Sequence, residues 1–236
     1  MAPHHRLTHP AAWLVSILLV ATMAWAEPKP KEWNPSIDPS HYVTVIDNPY
    51  FPLTPGQTLV YRGNTKDGVE TLEFEVTNRT KLIMNITTTV VVERHRLNGQ
   101  IVEVSENWFA QDNQGTVWYF GEATQEYDNG VPGSTEGSWQ AGVGGARPGI
   151  IMLADPQHGD SYFQEFAEGV AQDMAQVMST SETASTPLRT YSRVLRTKEW
   201  TPIESGSTEF KYYAPGVGLI MEEKGSERLE LVEVRG

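Results

Sequence analysis

The sequence predicts a mainly β protein: an antiparallel curved sheet or partly open β-barrel, with a long Gly-rich loop and at most one short helix. Three observations carry this. Val69–Thr77 alternates with period two, placing Glu70, Leu72, Phe74 and Val76 on one side and Val69, Thr71, Glu73, Glu75 and Thr77 on the other, the mark of a half-buried strand. Turn signals recur between β-branched runs, among them Lys66-Asp67-Gly68, Asn98-Gly99, Asp112-Asn113-Gln114-Gly115, Ala214-Pro215-Gly216 and Lys224-Gly225-Ser226. No helical pattern within the strand-rich region is long enough to serve as a crossover between parallel strands.

In chain order, residues 1–26 read as a secretory signal peptide. Arg6 supplies the positive start, Ala11 to Ala24 the apolar stretch, and Ala24-Trp25-Ala26 the small-x-small cleavage site. The apolar run is short for a membrane span, which takes about 20 apolar residues. No cysteine follows it, which excludes a lipid-anchored cysteine. Residues 27–41, rich in Pro and Lys, are expected to form a flexible leader, and 42–236 a single β-rich domain. Order is expected from Tyr42 to Ile46. The proline-rich Asp47–Gly56 then forces extended and turn geometry, with Tyr50, Phe51 and Leu53 capping the end of a core.

Thr58 to Arg62 is the first long strand and Val69 to Thr77 the second. Lys81 to Arg96 is another strand or a bent pair, and Ile101 to Gln111 and Thr116 to Glu122 form a hairpin. Asp128 to Gly149 is glycine-rich and lacks periodicity, so it reads as a long surface excursion pinned by Trp139, lying over one mouth of the sheet. Residues 156–180 fit either of two structures. Tyr162, Phe166, Val170, Met174 and Met178 recur every four residues, as on a helix, but Gly169 fits two strands broken there. Tyr191 to Thr201, Glu209 to Tyr213, Gly218 to Glu223 and Glu227 to Val234 form the closing meander.

The chain has 236 residues, 39% hydrophobic and 20% charged, with a formal net charge of −12. Removing residues 1–26 takes away one arginine and no acid, leaving 17 basic and 30 acidic residues and a net charge of −13. Such a surface repels phosphate backbones and anionic membranes, so no nucleic acid is expected as a partner. Cations and neutral molecules fit as ligands, while a plainer reading is that the acidity keeps an exported protein soluble. With no cysteine, disulfides and thiolate chemistry are absent and the core alone must hold the fold.

The densest mix of aromatics and carboxylates is Glu103–Glu122, EVSENWFAQDNQGTVWYFGE. A binding site is expected there and around it: Trp108, Trp118, Phe120, Tyr127 and Trp139 as the aromatic lining, Glu106 and Glu122 as orienting charge. Glu103, Glu106, Glu122, Asp155, Asp160 and Glu165 are the acids that two-carboxylate chemistry would draw on, with Trp108 and Trp118 stacking on sugar rings. Against that, acids are plentiful here and aromatics on paired strands are usually core. Glu93 and His95 share a strand face, a weak metal or acid/base signal outweighed by a paired surface histidine. His41 and His158 sit in turn-like contexts. Serine-hydrolase elbows, H-E-x-x-H and calcium-loop patterns are missing. Gly142-Val143-Gly144-Gly145-Ala146 lacks nucleotide-loop spacing. Asn78-Arg79-Thr80 and Asn85-Ile86-Thr87 fit the glycosylation sequon, which matters only in a eukaryotic source.

The segments Asp47–Gly56 (DNPYFPLTPG), Trp108–Asp112 (WFAQD), Val117–Glu122 (VWYFGE) and Tyr212–Leu219 (YYAPGVGL) resemble those of a group of exported bacterial β-rich proteins whose function is unknown. That resemblance implies export and transfers no catalytic residue. The layout is also similar to lipoprotein-like half-barrels that cradle apolar ligands, an architectural likeness only. The expected function is a secreted or periplasmic, non-enzymatic binding or envelope-associated protein with an aromatic-lined pocket for a small neutral or apolar ligand. Its partner would be that ligand or an envelope protein, with no stable membrane span after signal cleavage. The alternatives are a carboxylate-dependent enzyme on a carbohydrate-like substrate and a divalent-cation-binding protein. No cofactor or resident metal is expected, with calcium held open as the one exception.

Overall fold

The computed structural model describes residues 33–203, 206 and 208–236, which fall within the compact unit Lys31–Gly236. The expected signal peptide, residues 1–26, lies outside the described residues, as does the leader up to residue 32. After a 3-10 turn at Pro39–His41, sixteen strands follow: β1 (Tyr42–Val43), β2 (Thr58–Thr65), β3 (Gly68–Ile83), β4 (Ile86–Leu97), β5 (Gln100–Asp112), β6 (Val117–Asp128), β7 (Val131–Pro132), β8 (Trp139–Gln140), β9 (Arg147–Met152), β10 (Ser161–Phe163), β11 (Glu165–Phe166), β12 (Met174–Ser185), β13 (Thr190–Trp200), β14 (Thr208–Ala214), β15 (Gly218–Lys224) and β16 (Glu227–Arg235). Every pairing is antiparallel.

The strands form one sheet ordered β10-β12-β13-β14-β15-β16-β2-β3-β4-β5-β6-β9-β11. β16 pairs with β2, for example Leu231 opposite Tyr61, so the closing meander zips onto the first long strand. The two outermost strands, β10 and β11, are separated in sequence only by Gln164. Ser161–Phe163 pairs with β12. Gln164 N–H donates to the Asp173 carbonyl at 2.7 Å, and Glu165–Phe166 pairs with β9. One continuous segment therefore belongs to both edges, and the sheet is nearly closed into a barrel with a single unsealed seam between β9 and β10.

Trp33 lies across that seam. Its ring packs on Phe163 of β10 (centroids 5.8 Å apart) and Trp118 of β6 (6.4 Å), and its indole N–H donates to the Pro148 carbonyl of β9 at 2.9 Å. Arg147 donates to the Trp33 carbonyl. The leader expected to be mobile is thus tied down from Trp33 onward. The proline-rich segment is also pinned. Asn48, 2% exposed, donates to the carbonyls of Gly115 (2.8 Å) and Leu153 (3.0 Å) and accepts from Tyr50 N–H. This seats the Phe51 ring 5.2 Å from Phe109 and 6.2 Å from Phe74.

Where the sequence left a choice, strands won. Lys81–Arg96 is a bent pair, turning at Met84-Asn85 with both residues at positive φ. Residues 156–180 hold no helix: Ala167 bridges Ala171 around Gly169, and the four-residue stripe is dispersed, with Tyr162 and Met174 buried and Val170 exposed. Long-range pairing overrides a local period that a helix also satisfies. The Gly-rich excursion is clipped to β6 at two places, by β7 against Tyr127–Asp128 and by β8 against Gly121–Glu122, and Trp139 is buried as expected.

Closure is sterically exact at Gly149, where a Cβ would lie 2.0 Å from the Gln164 carbonyl oxygen. Gly149→Ala is expected to cost about 3 kcal/mol through forced displacement of backbone, lowering Tm by roughly 10 °C. Gly133→Ala, whose Cβ meets only ordinary contact at 3.8 Å, should leave Tm unchanged. Equal Tm values for the two variants in a thermal melt would contradict this account of the seam.

Candidate functional site

A half-open cavity of about 210 Å³ lies in the barrel, room for on the order of ten waters. It lies between two hydrophobic clusters, one around Val91, Phe109, Tyr119 and Met152 and one around Tyr61, Val194, Ile220 and Leu231; Phe74 and Leu219 pack against both and line the space. Its two walls differ. β2 and β3 contribute Leu59, Leu72 and Phe74, backed by Phe51 and Leu53 of the proline-rich segment. β4, β5, β6 and β11 contribute Glu93, Glu103, Ser105, Asn107, Tyr119, Glu122 and Glu165, with Lys211 and Tyr213 from β14. The inward residues on β5 run Glu103, Ser105, Asn107, Phe109, every second position, as strand geometry requires.

β6 breaks that rule, and the break makes the site. Asn107 pairs with Glu122 but Phe109 pairs with Tyr119, so β6 carries one extra residue in this interval. Gly121 absorbs the bulge at φ +124, with its missing Cβ only 2.3 Å from the Trp139 carbonyl oxygen. In a regular strand Tyr119 and Glu122 would face opposite ways; the bulge turns both inward. Tyr119 donates to Asn107 Oδ1, and Thr124 donates to Glu122 Oε2 at 3.2 Å.

Two cations sit among the interior acids, and each is already shared. Lys211 Nζ contacts Glu199 (3.1 Å), Glu209 (3.1 Å) and Glu222 (3.5 Å). Burial works against its charge, but the three carboxylates outweigh it and hold its pKa well above the ordinary value. His95 lies between Glu70 (3.5 Å) and Glu93 (3.7 Å). Burial again opposes, and hydrogen bonds to both acids push the imidazole up to about 10. Glu199 is further held by Thr197 and Tyr213 hydroxyls at 2.8 and 3.3 Å. Glu122 and Glu165 make no ion pair among the described residues, although the charge of Lys211 partly opposes the rise at Glu165. Burial, then the charges of Glu93 and Glu103, push Glu122 up to about 7. Burial and the neighbouring Glu122 push Glu165 well above the carboxylate range. Glu103 is raised chiefly by burial, and Glu222, also by burial, reaches about 7.

Of the seven residues expected to bind, only Glu122 lines the cavity. Trp108 is buried beneath Lys81, whose Nζ lies 3.2 Å from the ring centroid. Trp118 donates to Asp112 and packs on Trp33. Phe120, fully buried, meets Tyr42 at 5.7 Å. Trp139 stands edge-on to Tyr119 at 5.4 Å, one layer behind the wall. Tyr127 sits beside β7, and Glu106 pairs with Arg79 at 2.7 Å on the exposed side. Among the other acids considered, Glu103 and Glu165 line the cavity, Asp155 is exposed and Asp160 accepts from Gln157 N–H. Sequence reasoning missed Asn107, Tyr119, Lys211 and Tyr213. Alternation in Glu209-Phe210-Lys211-Tyr212-Tyr213 groups Lys211 with Tyr213 on one face and Phe210 with Tyr212 on the other, but does not say which face is inner. Phe210 and Tyr212 lie under Arg196, at 4.1 and 5.5 Å.

No protein-family model matches the sequence, and neither does any curated protein. Among solved structures, a protein from Parabacteroides distasonis designated provisionally as a lipoprotein aligns over 79% of this chain and 98% of its own, with 13% identity and a TM-score of 0.41, a likeness too slight to carry an argument.

The raised groups set the pH dependence. Glu122 moves from 4.5 unfolded to about 7 folded, so in that window the folded protein binds more protons than the unfolded chain and stability falls as pH rises. His95, moved from 6.5 to about 10, loses its stabilising charge in the same direction over a higher window. Tm is therefore expected to fall steadily from about pH 5 to about pH 9, and Glu122→Gln to flatten the lower part of that fall. A Tm that rises over this range in a buffered melt series would contradict the assignment.

Proposed function

We propose that this chain is an exported, non-enzymatic binding protein that holds one small, partly apolar ligand inside its barrel. The observation that supports it is the interior cavity, with Leu59, Leu72 and Phe74 on one wall and hydrogen-bonding groups on the other. Ligand sites combine mostly apolar lining with a few placed polar groups, and barrel-like sheets hold single small ligands in their interior. At about 210 Å³ the space is smaller than the roughly 300–1,000 Å³ of drug-sized sites, so it suits a compact molecule. Export rests on residues 1–26 and on the resemblance of the DNPYFPLTPG, WFAQD, VWYFGE and YYAPGVGL segments. An envelope setting follows from the same resemblance. Among the described residues no helix is long and apolar enough to cross a membrane.

A second reading, a carboxylate-dependent enzyme on a carbohydrate-like substrate, is favoured by one observation. Glu122 and Glu165 line the same cavity and both have raised pKa values, the electrostatics a general acid needs. Trp108 and Trp118 lie outside that lining, so the stacking once expected of them is not part of this reading.

Leu72→Trp, which fills the apolar wall, is expected to abolish binding of short alcohols such as n-hexanol in calorimetry while the protein still melts cooperatively. Binding that survives the filled cavity would refute the interior site. For the enzymatic reading, turnover of aryl glycosides should vanish in both Glu122→Gln and Glu165→Gln; a wild-type protein inert on such a panel would end it.

A further inference from the structure

The interior is short of positive charge on one side only. Lys211 is divided among Glu199, Glu209 and Glu222, and His95 between Glu70 and Glu93. Glu122 and Glu165, which line the cavity, make no ion pair among the described residues, and the groups beside Glu122, the Thr124 hydroxyl that donates to it and the Tyr119 phenol, are neutral.

Resting on the ligand-binding reading above, we infer that the cavity accepts an amphipathic organic cation, an ammonium or guanidinium group on a short hydrocarbon body, with its charge at Glu122 and Glu165 and its hydrocarbon against Leu72 and Phe74. Two features separate this ligand from a metal ion and from a neutral molecule. Among the described residues no group of three or more His, Asp or Glu side chains converges as metal ligands would, and half of the lining is hydrocarbon, which a bare ion does not use. A neutral ligand leaves the two carboxyls without an ion pair among the described residues, with only the charge of Lys211 acting on Glu165. An ammonium group replaces a carboxyl proton with charge-assisted hydrogen bonds in a site of low dielectric, where they are strongest. Binding then moves Glu122 from its half-protonated state near pH 7 to the carboxylate and releases a proton.

Calorimetry of the purified protein with n-hexylammonium, n-hexanol, hexanoate and calcium chloride tests this at about pH 8. Hexylammonium is expected to bind at least about tenfold more tightly than hexanol, a difference that a charge-assisted pair readily supplies, and hexanoate not at all. Near pH 7, titrations in buffers of different ionisation enthalpy should show net proton release with hexylammonium and none with hexanol, a readout on the unaltered protein that holds even if the variants misfold. Glu122→Gln or Glu165→Gln should erase the preference and spare hexanol binding. If hexanol or hexanoate binds as well as the amine, the cavity binds ligands but the cation inference is overturned. Calcium binding in place of the amine overturns it in favour of a metal, and binding of none of the four overturns both this inference and the ligand-binding reading.

Discussion

A ring of strands has an interior only where its two edges meet, and here they meet through one short segment, Ser161–Phe166, shared between β12 and β9. Ser161–Phe163 gives its ladder bonds to β12 and Glu165–Phe166 to β9, which shortens the open edge to the one seam between β9 and β10. The fit is tight enough that position 149 tolerates no side chain, and Trp33 covers the place where the ladder is interrupted. Phe51, Pro52 and Leu53 border the cavity, held there by the fully bonded Asn48.

Once closed, the barrel must accommodate an interior that is far from oily. Carboxylates leave water only at a cost unless they are paired or protonated. The protein uses both remedies. Lys211 and His95 each gather acids around one charge, while Glu122 and Glu165 are held toward the neutral form. The second remedy is reversible, so any cation entering the cavity competes with protons for the same oxygens. That exchange links the stability of the fold to the chemistry proposed for it: the groups that weaken the protein as pH rises are the groups that would gain from a positively charged ligand.

The bulge at Gly121 carries a similar double role. It lets β8 approach β6 closely, through the Trp139 backbone, and it also brings Glu122 and Tyr119 onto one face. Packing of the Gly-rich excursion and composition of the cavity are thus set by the same extra residue, and neither can change without the other.

The antiparallel β architecture was legible in the sequence because it is written in local terms. Period-two alternation in Val69–Thr77 and turn signals such as Asn98-Gly99 act over a few residues, and β3 and the β4–β5 turn follow them. The stretch Glu103–Glu122, singled out in the sequence, supplies Glu103, Ser105, Asn107, Phe109, Tyr119 and Glu122 to the cavity. Which of its side chains would turn inward was not legible. Trp108 and Trp118 were expected as aromatic lining, yet they pack in layers outside the cavity, while smaller or charged neighbours face it. That outcome depends on register, on a one-residue bulge, and on an interior whose polarity inverts the usual rule for β14. By itself the sequence determined strands, turns and an acidic surplus, because these arise from neighbouring residues. Only the tertiary structure decided where the surplus goes, because strand register sets Glu199 and Glu222 beside Lys211, and Glu122 of β6 and Glu165 of β11 share a cavity only through the folded sheet.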